Sequence, residues 1–318
     1  MRTRGGASQI PAPVARAELA TAHVVSEKSG LISGISTHLS ERPMKFAICN
    51  ETFVDWPFEK ACAFARKCGY TGLEVAPFTL AEYAHQVPAV RRAELRKIAA
   101  DSGLEIIGLH WLLAKTEGFY LTTPDAGTRA ATADYLCELT RLCRDLGGHM
   151  MVLGSPKQRN LLPGVSHDEG MRYAADTLQR VVPTLEECGV TIAIEPLGPE
   201  EGDFLRTADL GAELMRMTGS EHYKLHLDVK AMSTEPTPVC DIIRKHAGVM
   251  AHFHANDPNR RGPGMGEVDF KPIFKTLQSV EYGGWVSVEV FDYSPGAEYL
   301  AAESYSYMRE CLKAIGSQ

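Results

Sequence analysis

The chain lacks any run of about 18 uncharged apolar residues, so no membrane-spanning helix is expected. It also lacks an excess of positive charge. Lys and Arg number 33 against 40 Asp and Glu, a formal charge of -7. The basic residues are dispersed as well, and a phosphate backbone needs them concentrated, so no nucleic-acid partner is expected. No CxxC pair occurs among the eight cysteines, and Cys62, Cys137, Cys143 and Cys188 fall within apolar helical patterns. That usage predicts reduced, buried thiols and a cytoplasmic chain. Gly and Pro are at ordinary levels, 28 and 18, which excludes low complexity.

Residues 1–43 stand apart. They hold Ala, Ser, Gly and Pro without a sustained period, and their net charge of +2 leaves the remainder at -9. Arg16 and Glu18 interrupt the one stretch that resembles a signal-peptide core, so secretion is not expected. The segment reads as a flexible or misassigned extension. Met44 directly precedes the first strand-like run and is a candidate start.

From Met44 onward, short apolar runs alternate with helical patterns. Eight strands are predicted: Lys45–Cys49, Gly72–Ala76, Leu104–Trp111, His149–Leu153, Val190–Glu195, Lys224–Val229, Met250–Asn256 and Trp285–Phe291. Asp55, Thr207 and Asp269 read as helix caps, and Ser166 with Glu169 as a capping box ahead of one helix ending near Cys188. Strands covered on both faces by helices read as continuous apolar runs. Eight such units over residues 44–318 predict one α/β catalytic domain, a (β/α)8 TIM barrel. A doubly wound open sheet is the competitor, but no GxGxxG follows the first strand.

Strand alternation then sorts the side chains. In the fifth to eighth strands the aliphatic sets fall on one face. The opposite face carries Glu195, then His226 and Asp228, then His252 and His254, then Ser287 and Glu289. Glu195, Asp228, His254 and Glu289 lie near the C-terminal ends, where such barrels do chemistry. Three carboxylates cannot share a dry pocket as anions without compensation. One divalent ion supplies it, and the mixed O/N set suits Mn2+, Mg2+, Co2+ or Zn2+. His226 and His252, one layer lower, are interior histidines or supports for the ligands.

These residues resemble the sugar isomerase/epimerase superfamily of xylose-isomerase-like barrels, most nearly its ketose 3-epimerase group. The resemblance rests on "GLEV" at 72–75, "IEPLGPEE" at 194–201, "HLDV" at 226–229, "HFHANDPNRRGPGMGEVDF" at 252–270 and "SVEVF" at 287–291. It spans roughly residues 44–315. It implies a metal held by Glu195, Asp228, His254 and Glu289, with Glu195 and Glu289 as the acid/base pair. It further implies substrate contacts from Glu201 and Arg260. One departure stands out. The group usually places a substrate-binding His three residues after the ligand Asp; here that residue is Ala231, and Lys230 before it is a candidate replacement. The implied reaction is removal of an α-proton from a ketose or keto-sugar through a metal-stabilised enediolate, giving isomerisation or epimerisation. Loss of water or a glycosidic group from the same intermediate would make the enzyme a dehydratase or lyase. An abasic-site endonuclease and a non-catalytic binding barrel are the remaining alternatives. The partner is then a small sugar-like molecule, and since relatives often pair, a homo-oligomer is a family expectation.

Other residues carry two readings each. His110, at the end of the third strand on the same face as Ile106 and Gly108, can contact substrate or a leaving group, or be structural. Trp56 can wall an apolar side of the pocket, or pack a loop. Glu74 can line the pocket or sit in an internal salt bridge. In "GSPKQRN", residues 154–160, Lys157 and Arg159 can receive an anion or be a solvated loop.

Overall fold

The computed structural model describes residues 44–316. The expectations for residues 1–43 lie outside the described residues. Eight strands are present: β1 Lys45–Cys49, β2 Gly72–Val75, β3 Glu105–Leu109, β4 Met150–Leu153, β5 Thr191–Ile194, β6 Tyr223–Asp228, β7 Met250–Ala255 and β8 Trp285–Val288. Each pairs in parallel with its sequence neighbours, and β1 pairs with β8, so the sheet is a closed barrel. The open doubly wound sheet is thereby excluded.

The strands are one to three residues shorter at their C-terminal ends than the apolar runs suggest, β1 and β4 excepted. As a result His110, Glu195 and Glu289 lie just past their strands, on the loops of the barrel mouth. The helices are α1 Phe58–Cys68, α2 Ala89–Asp101, α3 Ala126–Leu146, α4 His167–Gln179, α5 Val182–Cys188, α6 Ala208–Thr218, α7 Val229–Met232, α8 Val239–His246, α9 Phe270–Ser279 and α10 Ala297–Gly316. None is long and apolar enough to cross a membrane.

Local chemistry accounts for most boundaries. Ser166 and Glu169 form a reciprocal capping box at α4. Thr207 and Asp269 accept from Leu210 N and Lys271 N at the starts of α6 and α9. Asp55 does not cap α1: Pro57 takes the N-cap position and Asp55 has φ 61°. The single helix expected between Ser166 and Cys188 is two, because Pro183 in the first turn of α5 restarts it.

Alternation divides the barrel as the pattern requires. Ile48, Leu73, Leu225, Leu227, Phe253, Val286 and Val288 join the helices in the main core. Ala47, Ile107 and Trp285 form a separate plug inside the barrel. The β2–β3 register shifts between Leu73 and Glu74, which pair with Ile106 and Gly108. Ile106 therefore packs outward rather than on the face of His110, and Ile107 takes the interior place. Gly108 meets β4 so closely that a Cβ there would overlap the Met150 carbonyl. Gly108→Ala is expected to cost about 1–3 kcal/mol or more, as overpacking does. An unchanged urea midpoint would contradict this close approach. All eight cysteines are free.

Candidate active site

The barrel interior above the plug is acidic and imidazole-rich. His226 faces His252, and Asp228 faces His254, across the β6–β7 ladder. The rings of His226 and His254 lie 4.2 Å apart, centroid to centroid. Glu74, fully buried on β2, accepts from His252 Nε2 at 2.9 Å and from His254 Nε2 at 3.2 Å. Burial opposes charge on Glu74, but the two imidazoles outweigh it and hold the carboxyl well below its usual range. A carboxylate can only accept, so the Nε2–H of His254 donates to Glu74 and Nδ1 is turned towards the mouth.

At the mouth, Glu195, His226, Asp228 and His254 each offer a donor atom, all within 4.8 Å of one another. Asp228 is held from both sides: Oδ1 accepts from Ala231 N at 2.7 Å and Oδ2 from Asn256 Nδ2 at 2.5 Å. Glu289 Oε2 stands 2.9 Å from His254 Nδ1. Among the described residues neither atom has an aligned hydrogen-bond partner, and neither nitrogen of His226 has one. Buried polar atoms are seldom left so. Orphaned donors and acceptors among carboxylates and imidazoles are what a divalent cation satisfies, and this set fits one.

The carboxylates differ in environment. Burial, with Glu289 and Asp228 nearby, pushes Glu195 up to about 8. Burial beside Glu289 pushes Asp228 up to about 6. Glu289 is also buried, yet His254 and His110 hold it well below the usual range. Trp111 Nε1 donates to Glu289 Oε1 at 2.8 Å, and His110 Nδ1 lies 3.1 Å from the same oxygen. On its other side His110 meets Glu51 Oε2 at 2.8 Å. His110 is fully buried and stands behind Glu289 rather than lining a cavity.

Above these groups opens a cavity of about 490 Å³. Glu195, Glu289, Glu201, Lys230, Arg260 and Lys157 are among its walls. Glu201 and Lys230 form an ion pair. The Lys230 N–H donates to Asn256 Oδ1 at 2.9 Å, which fixes the start of α7 at the mouth. Ala231 is buried and serves Asp228 through its backbone. Arg260 has φ 72°, and its carbonyl accepts from Phe291 N and Asp292 N at 2.8 and 2.9 Å. These bonds tie the glycine-rich loop to the end of β8. Trp56 lies elsewhere: it packs on Phe53 and Phe64 and lines a neighbouring cavity.

Arg159 does not receive an anion. Its side chain is 2% exposed, and Nη1 donates to the Leu153 carbonyl at 3.1 Å and the Glu195 carbonyl at 2.6 Å. It thus clamps the ends of β4 and β5 under Glu195. Gly154 leaves room for the Glu195 carboxylate, which a Cβ would strike. Reading the sequence missed Glu51, which no apolar run frames, although it follows the end of β1 much as Glu195 follows β5.

Fold and site together define a (β/α)8 barrel whose mouth carries a buried carboxylate–imidazole cluster competent for a divalent metal. The chain belongs to the xylose isomerase-like TIM barrel family, whose model matches residues 62–311. It is 32% identical over 218 residues to the L-ribulose 3-epimerase of Mesorhizobium japonicum, covering 68% of this chain and 72% of that one. It is 29% identical over 200 residues to the D-psicose 3-epimerase of Enterocloster bolteae, covering 62% of this chain and 65% of the relative, just under two thirds. Among solved structures, D-psicose 3-epimerase with D-tagatose from Clostridium cellulolyticum H10 superposes with a TM-score of 0.74 at 20% identity, over 86% of this chain and 99% of that one. At that identity the superposition speaks for the fold.

Two outcomes follow from the cluster. Glu74→Gln is expected to weaken Mn2+ binding about 10–100-fold, the usual effect of losing a carboxylate behind a ligating imidazole. Calorimetric titration reads it, and an unchanged affinity would remove Glu74 from this role. Glu195 and Asp228, both raised, hold protons that a cation must displace, so affinity should rise between pH 6 and pH 8. A flat profile would place the cation elsewhere.

Proposed function

We propose that this enzyme of the isomerase/epimerase kind is a divalent-metal-dependent sugar epimerase or isomerase that removes the proton α to the carbonyl of a ketose or keto-sugar. One observation carries the reading: Glu195 and Glu289 line one cavity, with the Asp228–His254 cluster buried beneath them. The proposed ligands are Glu195, Asp228, His254 and Glu289. A bound Mn2+ or Mg2+ would supply a Lewis acid that polarises the substrate carbonyl.

The residues of the chain do the rest. Glu289, kept charged by His254 and His110 and oriented by Trp111, accepts the proton from carbon. Glu195, on the wall of the same cavity, returns a proton on the other face. The reverse reaction exchanges these roles. Arg159 keeps Glu195 in place through its backbone carbonyl. Glu201, Lys230 and Arg260 offer charged partners to the substrate's oxygens, and Lys230 provides a polar contact beside Ala231. The apolar faces of Trp111 and Phe291, stacked 5.9 Å apart, keep water from that side.

Support for the ketose class comes from relatives named L-ribulose and D-psicose 3-epimerase. The test is proton NMR in D2O with Mg2+-loaded protein and L-ribulose, D-psicose or D-fructose. The α-proton should exchange, chelation should abolish the exchange, and Mg2+ should restore it. Glu289→Gln should slow it about 10²–10⁴-fold, the range for losing a general base. The product distinguishes epimer from aldose from eliminated enone. Exchange that survives both chelation and Glu289→Gln would overturn the mechanism.

A further inference from the structure

Two donors hold one oxygen of Glu289. Oε1 accepts from Trp111 Nε1 at 2.8 Å and from His110 Nδ1 at 3.1 Å, while Oε2 faces His254. Trp111 is fixed by its own surroundings. Its φ of 52° is costly for a bulky residue, and its ring packs on Phe78 and Phe291. His110 needs a second anchor, because the torsion that swings an imidazole about its Cβ–Cγ bond has no sharp preference. Its other nitrogen supplies one: Nε2 lies 2.8 Å from Glu51 Oε2. A carboxylate only accepts, so the ring donates from both nitrogens.

Glu51 is itself held in place. It sits in the short 3-10 turn Asn50–Thr52 that follows β1. Asn50 locks that turn to the loop after β2: its Oδ1 accepts from Ala76 N, and its Nδ2 donates to Thr79 Oγ1, both at 2.8 Å. Glu51 is 5% exposed, and Oε1 has no hydrogen-bond partner among the described residues. It stands at the edge of a second cavity, of about 620 Å³, whose walls include Trp56, Phe58, Phe78 and Trp111. Burying a carboxylate beside aromatic rings with one oxygen unmet costs stability. Glu51 is not among the proposed metal ligands and does not line the cavity over Glu195 and Glu289. What the costly placement secures is the bond to His110.

Resting on the proposed role of Glu289 as the base, we propose that Glu51 is a positioning residue for the reaction. It fixes the His110 ring, and through that ring it holds Oε1 of Glu289 so that Oε2 stays on the side of His254. Residues from the ends of β1, β3 and β8 thus act as one unit, of which Glu289 alone meets the substrate.

Steady-state α-proton exchange of L-ribulose and D-psicose by the Mg2+-loaded protein reads this role. Glu51→Ala should lower kcat about 10–100-fold and leave KM within about twofold, since Glu51 touches no substrate. Glu51→Asp, one methylene short of His110, should do the same and carries the test if the alanine variant fails to fold. Glu51→Gln, whose amide still hydrogen-bonds Nε2, should recover kcat to within about fivefold of wild type. A cycle with Glu289→Gln separates positioning from general loss of structure: in that background Glu51→Ala should change the exchange less than about twofold, because its target is already gone. A fall of equal size in both backgrounds would overturn the proposal, as would an unchanged kcat in the Ala and Asp variants. A second readout needs no turnover. In metal-free, 15N-histidine-labelled protein, His110 should give two hydrogen-bonded ring N–H resonances, both absent from His110→Asn. Glu51→Ala should remove the Nε2–H signal and shift the Nδ1–H signal; an unmoved Nδ1–H would break the link to Glu289. Exchange that survives Glu289→Gln would instead sink the base assignment, and the ring resonances would then judge the Glu51 link by themselves.

Discussion

Everything at the mouth of this barrel depends on neutralising buried carboxylates. Glu51, Glu74, Glu195, Asp228 and Glu289 are all at most 5% exposed. Anions in such a volume are strongly disfavoured unless each finds a positive partner or a proton. Three solutions appear side by side. Glu74 and Glu289 are held charged by imidazoles. Asp228 takes two hydrogen bonds. Glu195 is left with a raised affinity for protons. The imidazoles cannot serve every carboxylate: His226 stands 3.7 Å from Glu195 without a hydrogen bond among the described residues, and its proton affinity is lowered, burial being the main cause. That imbalance is the physical basis for a cation at this place.

The fold supplies the geometry that such a cluster needs. Catalytic side chains must be held within a fraction of an ångström by groups that are themselves fixed. Here the second layer is unusually polar for a barrel interior. Glu74 turns His254, Asn256 turns Asp228, and Trp111 with His110 turns Glu289. Arg159 reaches the same end through the backbone, since it binds the carbonyls where β4 and β5 finish. A buried cation that grips main chain fixes where Glu195 leaves its strand. Small residues complete the arrangement: Gly154 yields space to the Glu195 carboxylate, and Gly266 to that of Asp257.

The aromatic cavity beside this centre has a different physical origin. It is built mainly from the loops after β1, β2 and β3, with Tyr293 from beyond β8, whereas the ligand cluster comes from β5 to β8. The two halves meet through Glu51, His110 and Glu289, a buried carboxylate–imidazole–carboxylate bridge. Trp111 belongs to both: its indole N–H serves Glu289 and its faces serve the aromatic side. Placement of the acid/base pair and shape of the adjoining space are therefore coupled through one strained residue.

Much of this was legible along the chain, for a local reason. Apolar runs separated by helical periods reported the eight units, because burial on two faces leaves its mark within a few residues. Side-chain alternation placed Glu195, Asp228, His254 and Glu289 at one end of the barrel, because the pleat repeats every two residues. Local signals also named the caps at Ser166, Thr207 and Asp269. Where a local rule was interrupted, the reading slipped: the register shift beside Glu74 moved Ile106 outward, Pro183 divided a helix, and Asp55 lost its cap to Pro57. The partnerships of the site were decided by tertiary structure alone. Glu74 meets His254 across 180 residues, His110 meets Glu289 across 179, and Arg159 turns inward to a carbonyl 36 residues away. No periodicity encodes such contacts, since they exist only once the barrel closes and β1 lies beside β8. The cavity that each of Trp56 and Trp111 faces was settled in the same way, by which loops the closed barrel brings together.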